Sequence, residues 1–75
     1  MTDIDKKAYV EIRELLKHVR PEEVQRIPQE ELDFFDKNKD PNYKFKFDDS
    51  KNISEQDVLP QTREVFVNLY NKYVK

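Results

Sequence analysis

The stretch DKNKD, which begins at Asp36, spaces oxygen-bearing side chains as the first half of a calcium-binding hand loop does. Asp36, Asn38 and Asp40 would supply the ligands at loop positions 1, 3 and 5. Position 6 of such a loop needs the positive φ of glycine, and position 12 needs a bidentate glutamate. Pro41 and Phe47 stand at these two positions. Because the two most constrained positions fail, we expect no calcium site here.

The same residues are better explained as the end of a helix followed by a turn. The chain contains no glycine, so asparagine or aspartate must fill any position that needs positive φ, and Asn38 is the candidate for the left-handed cap of this helix. Asp40, Pro41 and Asn42 then predict a turn of the Asx type.

The single histidine, His18, has no cysteine or second histidine to share a zinc ion with. His18 lies four residues after Glu14 and near a helix C-terminus. We expect it to be a solvated side chain whose positive form is favoured by the helix dipole and by the Glu14 carboxylate. The adjacent acids Glu22 and Glu23 would point about 100 degrees apart on a helix, so they do not indicate a catalytic carboxylate pair. The helix dipole, which stabilises acids in a first turn, explains both of them. We therefore predict no enzymatic activity, metal or cofactor. A pocket that gathers two or more carboxylates with His18 would instead indicate a small enzyme.

Residues 43–47, YKFKF, alternate aromatic rings with Lys44 and Lys46. This two-residue period is typical of an extended segment, and with no partner strand it predicts a strap across helices, rings inward and lysines outward. The alternative is a nucleic-acid surface, with Lys44 and Lys46 contacting phosphates and the rings stacking on bases. A net charge of −2 and the lack of a second basic cluster disfavour nucleic acid as a partner.

Composition indicates one small domain over residues 1–75. Only 36% of the residues are hydrophobic and 40% are charged, so packing of five Phe and four Tyr must supply much of the core. The first twenty residues are charged throughout, and no apolar run approaches membrane-spanning length. We expect a cytoplasmic protein without a membrane segment.

Four helical pieces follow from the pattern of apolar residues and caps. Residues 3–19 form an amphipathic helix that Thr2 or Asp3 can cap. Prolines open a single turn at Pro21 and a helix over residues 28–37, which should bury Leu32 and Phe35. Ser54 and Asp57 predict a short capped turn, and residues 60–74 a last helix.

The last helix carries more apolar residues than a small domain needs from one element, and tyrosine tolerates both core and interface. The side chains we expect to form an interface, if they are not core, are Val67, Tyr70, Tyr73 and Val74.

Several short motifs are similar to a family of short, uncharacterised proteins of Firmicutes bacteria, over about Ile27 to Tyr73. They are Ile27-Pro28, Asn38-Lys39-Asp40 with Asn42-Tyr43 and Phe45, Ser54-Glu55-Gln56, Leu59-Pro60 with Thr62, and Leu69-Tyr70 with Lys72-Tyr73. Gln61 departs from the acid expected at the start of the last helix. The resemblance implies a bacterial cytosolic setting and carries no catalytic or binding residue.

Together these patterns predict an all-α fold: a compact bundle of three main helices and short helical turns, crossed by an extended aromatic segment at about residues 43–47. The function they favour is a non-catalytic interaction or regulatory module. Its partner would be another protein or a second copy of the chain.

Overall fold

The computed structural model describes residues 3–75 and confirms a compact all-α fold. Four α-helices are α1 (Asp3–Leu16), α2 (Pro21–Val24), α3 (Gln29–Asn38) and α4 (Pro60–Leu69). A 3₁₀ turn (Ile53–Glu55) precedes α4, and a π-helical turn (Tyr70–Val74) continues it. Within the described residues no helix is long and apolar enough to cross a membrane.

The core lies where α1 packs against both α3 and α4. The apolar spacing of α1 turns Ile12 and Leu16 inward, and the predicted core residues Leu32 and Phe35 of α3 meet them there. Tyr73 and Val65 pack against this cluster from the C-terminal end. The buried members of the cluster are Ile12, Leu16, Ile27, Leu32, Phe35 and Leu69.

The aromatic segment at residues 43–47, here called the aromatic strap, has no regular secondary structure and lies against α1, where the Tyr43 hydroxyl donates to Glu11. Its three rings are half-buried, and Lys44 and Lys46 between them are exposed. Three residues before the strap, the backbone N–H of Asp40 donates to the carbonyl of Lys6 on α1, at 3.2 Å. The predicted Asx turn precedes it, because the Asn42 N–H donates to the Asp40 carboxylate at 2.8 Å.

Helix ends are where the sequence-based expectations were wrong. Helix α1 stops at Leu16 rather than at residue 19, because the N–H groups of His18 and Val19 turn back to carbonyls three residues earlier. Asn38 is helical, not left-handed, and its side-chain amide donates to the Phe34 carbonyl. Helix α3 is followed by Lys39, whose backbone is extended, so its end needs no left-handed residue. No other residue in 3–75 has positive φ either. The predicted cap at Thr2 lies outside the described residues.

The second half differs from the predicted boundaries as well. Asn52 and Glu55 cap the 3₁₀ turn, and this pair lies two residues before Ser54 and Asp57, the predicted capping pair. The last helical stretch spans residues 60–74 as predicted, but it is α-helical only to Leu69, after which the Lys75 N–H donates to the Tyr70 carbonyl, five residues back, at 3.0 Å. The Arg26 guanidinium also binds the Val74 carbonyl at 2.7 Å and holds this wider turn in place.

Candidate functional site

A groove with a volume of about 850 Å³ runs along one side of α4. Leu15, which is buried, lies at its base, and Val67, which is 48% exposed, stands on its α4 wall. The opposite wall comes from the end of the strap and the 3₁₀ turn. The apolar and aromatic side chains that line this α4 groove are Leu15, Val19, Phe47, Ile53, Val58, Phe66, Val67 and Tyr70. This volume lies within the range of ligand and peptide sites.

The wall opposite α4 is held by a buried amide, Gln56, which is 2% exposed. Its oxygen accepts the N–H of Asp48 at 2.9 Å, and its NH₂ group donates to the carbonyls of Asp48 and Lys51 at 2.8 and 3.1 Å. A further donation reaches the Asn52 carbonyl at 3.4 Å. One side chain thus replaces the backbone pairing that this irregular loop lacks, which fixes the wall without regular secondary structure.

Arg63 joins this wall to α4. Its guanidinium donates to the carbonyl of Ser54 at 2.7 Å and to that of Gln56 at 2.6 Å. These two hydrogen bonds tie the loop wall to α4 and thereby limit the width of the groove.

The buried carboxylate of Glu11 fixes the start of α4 from the side of α1. It accepts the Thr62 hydroxyl at 2.5 Å, the Leu59 N–H at 3.0 Å and the Tyr43 hydroxyl at 2.6 Å. Helix α4 has no side-chain cap of its own and no acid in its first turn. Glu11 therefore supplies through space the negative charge that the sequence lacks at Gln61.

Neither Glu11 nor Gln56 stands out in the sequence as a candidate site residue. A signal for Glu11 was present, since it lies three residues after Ala8 and four before Leu15, on the buried stripe of α1. An acid on a core face indicates a buried polar partner. No such signal marks Gln56.

Among the predicted interface residues, Val67 and Tyr70 line the α4 groove, whereas Tyr73 and Val74 are half-buried away from its lining. The Tyr73 ring packs on the core, its hydroxyl donates to Glu31 at 3.2 Å, and Lys72 lies 5.1 Å from its ring centre. The proximity of Tyr73 raises the pKa of Lys72. The set thus divides: Val67 and Tyr70 line the groove, Tyr73 packs on the core, and Val74 is half-buried outside both.

Glu23 lies at the edge of the groove and is already bonded twice. The Tyr70 hydroxyl and the Arg20 guanidinium both donate to its carboxylate. The hydrogen bond from Tyr70, followed by that from Arg20, holds the pKa of Glu23 below its usual value, and the same contact raises the pKa of Tyr70. The positive charge of Arg20 therefore balances the negative charge of Glu23.

His18 is exposed, but its ring is stacked on Phe47 with centroids 3.7 Å apart and planes 10° from parallel. The groove does gather His18 with two carboxylates, those of Glu23 and Asp49. Within the described residues, no hydrogen bond or ion pair joins His18 to either of them. The three groups share a groove, as the small-enzyme alternative expects, without bonds in residues 3–75 between the histidine and either carboxylate.

The residues of the calcium-like stretch are bonded elsewhere. Asp36 accepts the Arg13 guanidinium at 3.0 Å, with Lys39 at 3.5 Å. Burial works to raise the pKa of Asp36, but the hydrogen bond and charge of Arg13 outweigh it and lower that pKa. In residues 3–75 no three His, Asp or Glu side chains are grouped as metal ligands would be.

The predicted nucleic-acid contacts, Lys44 and Lys46, are exposed on the outer side of the strap. The neighbouring rings are already engaged: the Tyr43 hydroxyl is bonded to Glu11, and one face of Phe47 is covered by His18. Lys7 also lies over the Tyr43 ring, 5.7 Å from its centre.

No protein-family model, curated protein or solved structure matches this chain.

Proposed function

We propose that this chain is a non-catalytic interaction module, acting in the cytoplasm of a bacterial cell, whose α4 groove receives a segment of a partner protein. The observation that supports the proposal is the groove itself, apolar along its base and charged at its rim. That arrangement is typical of protein-recognition sites, in which an apolar centre is surrounded by polar groups.

Binding is favoured over catalysis because, within residues 3–75, neither groove carboxylate is bonded to the histidine of the groove, and one of them is committed to internal contacts. Glu23 accepts bonds from Tyr70 and Arg20. A general base must have a lone pair directed at substrate, and Glu23 directs its lone pairs at the protein. Tyr70, by contrast, presents a ring beside the exposed Val67, as interface tyrosines do.

Site-specific photo-crosslinking tests the proposal, with a benzoylphenylalanine placed at Val67 or at Ile4. Both positions are helical and both are 48% exposed, but only Val67 lines the groove. We expect a discrete crosslinked species in cells with the probe at Val67, and none at Ile4. A product of twice the chain mass would identify the partner as a second copy. Equal products at the two positions, or none at Val67, would overturn the proposal.

A further inference from the structure

Helix α4 presents a second face that the domain does not cover. Thr62, Val65 and Leu69 turn toward the interior, whereas Arg63, Val67 and Tyr70 follow one another at i, i+4 and i+7 along the groove. This spacing is one stripe of a helix, about 10 Å long at 1.5 Å per residue. Side chains at such spacing form the ridges and grooves into which another helix packs.

The rim of the groove is positively charged, although the whole chain carries a net charge of −2. Among residues 3–75, four lysine and arginine side chains and two carboxylates line the groove. Arg20 and Glu23 neutralise each other. Asp49 is then left with Lys51, Arg63 and Lys75, none of which forms an ion pair within residues 3–75.

Arg63 is the best-placed of these cations. Two backbone carbonyls hold its guanidinium in position, and carbonyls do not cancel its charge. A pre-positioned cation loses little conformational freedom when it meets an anion, so it contributes more to binding than a free side chain.

From this charge complementarity we infer that the occupant of the α4 groove is an acidic amphipathic helix of a partner protein. Its apolar side chains at i, i+3, i+4 and i+7 lie against Phe47, Ile53 and Val67, and its flanking glutamates or aspartates face Lys51 and Arg63. This inference depends on the proposed function and specifies the partner's chemistry.

A displayed peptide library tests the inference with the whole chain as bait. Each peptide carries leucine at i, i+3, i+4 and i+7, and glutamine, glutamate or lysine at random in the flanking positions. We expect glutamate to be enriched, and the selected peptide to shift the backbone amide signals of residues 47–54 and 63–71. Binding should weaken as salt rises.

A matched pair of variants tests the role of the rim. Lys51→Glu should weaken binding of the selected peptide by about fivefold, which corresponds to the free energy of one exposed ion pair. Lys44→Glu makes the same charge change on the strap, away from the groove, and should leave affinity within about twofold.

Phe34 on α3 is an apolar side chain exposed outside the groove. Four outcomes would overturn the inference: enrichment of lysine or glutamine, signal shifts centred on Phe34 instead of the groove, no enrichment at all, or binding to phosphatidylglycerol vesicles without binding to any peptide. The interaction module is judged separately, by the Val67 crosslink. A crosslink at Val67 with lysine-rich peptides would keep the module and reject the acidic helix.

Discussion

The Thr62 hydroxyl on α4 donates a 2.5 Å hydrogen bond to the Glu11 carboxylate on α1, 51 positions away in the chain. Both residues are buried, at 0% and 2% exposure. A buried carboxylate is tolerated only where donors compensate for lost water, and here Leu59 and Tyr43 complete the set. This one side chain fixes the relative positions of α1, α4 and the aromatic strap.

Replacing Glu11 by glutamine should destabilise the fold by about 2–3 kcal/mol, because an NH₂ group would face donors and the charge would be lost. Urea unfolding followed by circular dichroism measures the change. Glu14→Gln is the control on the same helix, since Glu14 bonds only to Lys17 at the surface, and it should cost less than about 0.5 kcal/mol. Equal costs for the two variants would contradict a central role for Glu11.

Tyr43 should make stability depend on pH in the alkaline range. The hydrogen bond to Glu11, with burial and the charge of that carboxylate, raises the pKa of Tyr43 to about 12. The pKa of tyrosine in the unfolded chain is about 10. Above that pH the folded state therefore keeps the Tyr43 proton that the unfolded state loses. The stabilisation is fully present below about pH 10 and is lost as the pH rises toward 12.

Urea midpoints from pH 8 to 11.5 measure this loss for the native chain and for Tyr43→Phe. The variant should be less stable at pH 8 and should fall less steeply above pH 10. Tyr9 and Tyr70 also have raised pKa values, so a smaller alkaline decline remains in the variant. Parallel curves for the two proteins would show that Tyr43 does not hold its proton as described.

Gln56→Glu should destabilise the domain by about 2 kcal/mol or more, because a buried carboxylate would face the carbonyls that the amide now binds. Gln61→Glu makes the same chemical change in the first turn of α4, where an acid is tolerated, and should stay within about 0.5 kcal/mol of the native chain. Thermal unfolding of the two variants distinguishes them. A harmless Gln56→Glu would mean that the loop wall of the groove is held by other contacts.

Nucleic-acid affinity should be weak and easily displaced by salt. Lys44 and Lys46 offer charge, but the rings of Tyr43 and Phe47 are engaged within the protein. On a single-stranded DNA resin we expect elution below about 50 mM salt or no retention. Retention near 150 mM salt that is lost in Lys44→Ala with Lys46→Ala, but not in Lys37→Ala, would support the nucleic-acid alternative instead.

Calcium should leave the thermal midpoint unchanged. Asp36 is paired with Arg13, and Asp40 accepts the Asn42 N–H, so a cation would have to displace existing contacts. Melting curves in millimolar CaCl₂ and in EDTA should coincide at equal ionic strength. A midpoint that rises with calcium and not with magnesium would show a site at this stretch.

Local patterns predicted the elements of the fold well. Pro21 and Pro60 occupy the first positions of α2 and α4, because a proline at a helix start sacrifices no hydrogen bond. The alternation at residues 43–47 correctly placed rings inward and lysines outward, since a period of two follows from backbone geometry alone. The helix end at Asn38 was misjudged, because an extended Lys39 followed by an Asx turn ends α3 without positive φ.

What the sequence by itself determined is the helical class, the buried stripe of each main helix and the inward rings of the strap, because these depend on spacing along the chain. The α4 groove, the cap that Glu11 provides for α4 and the loop closed by Gln56 were decided only by tertiary structure. Each joins residues distant in sequence or irregular in backbone, and no local period encodes which polar groups will meet when the helices pack.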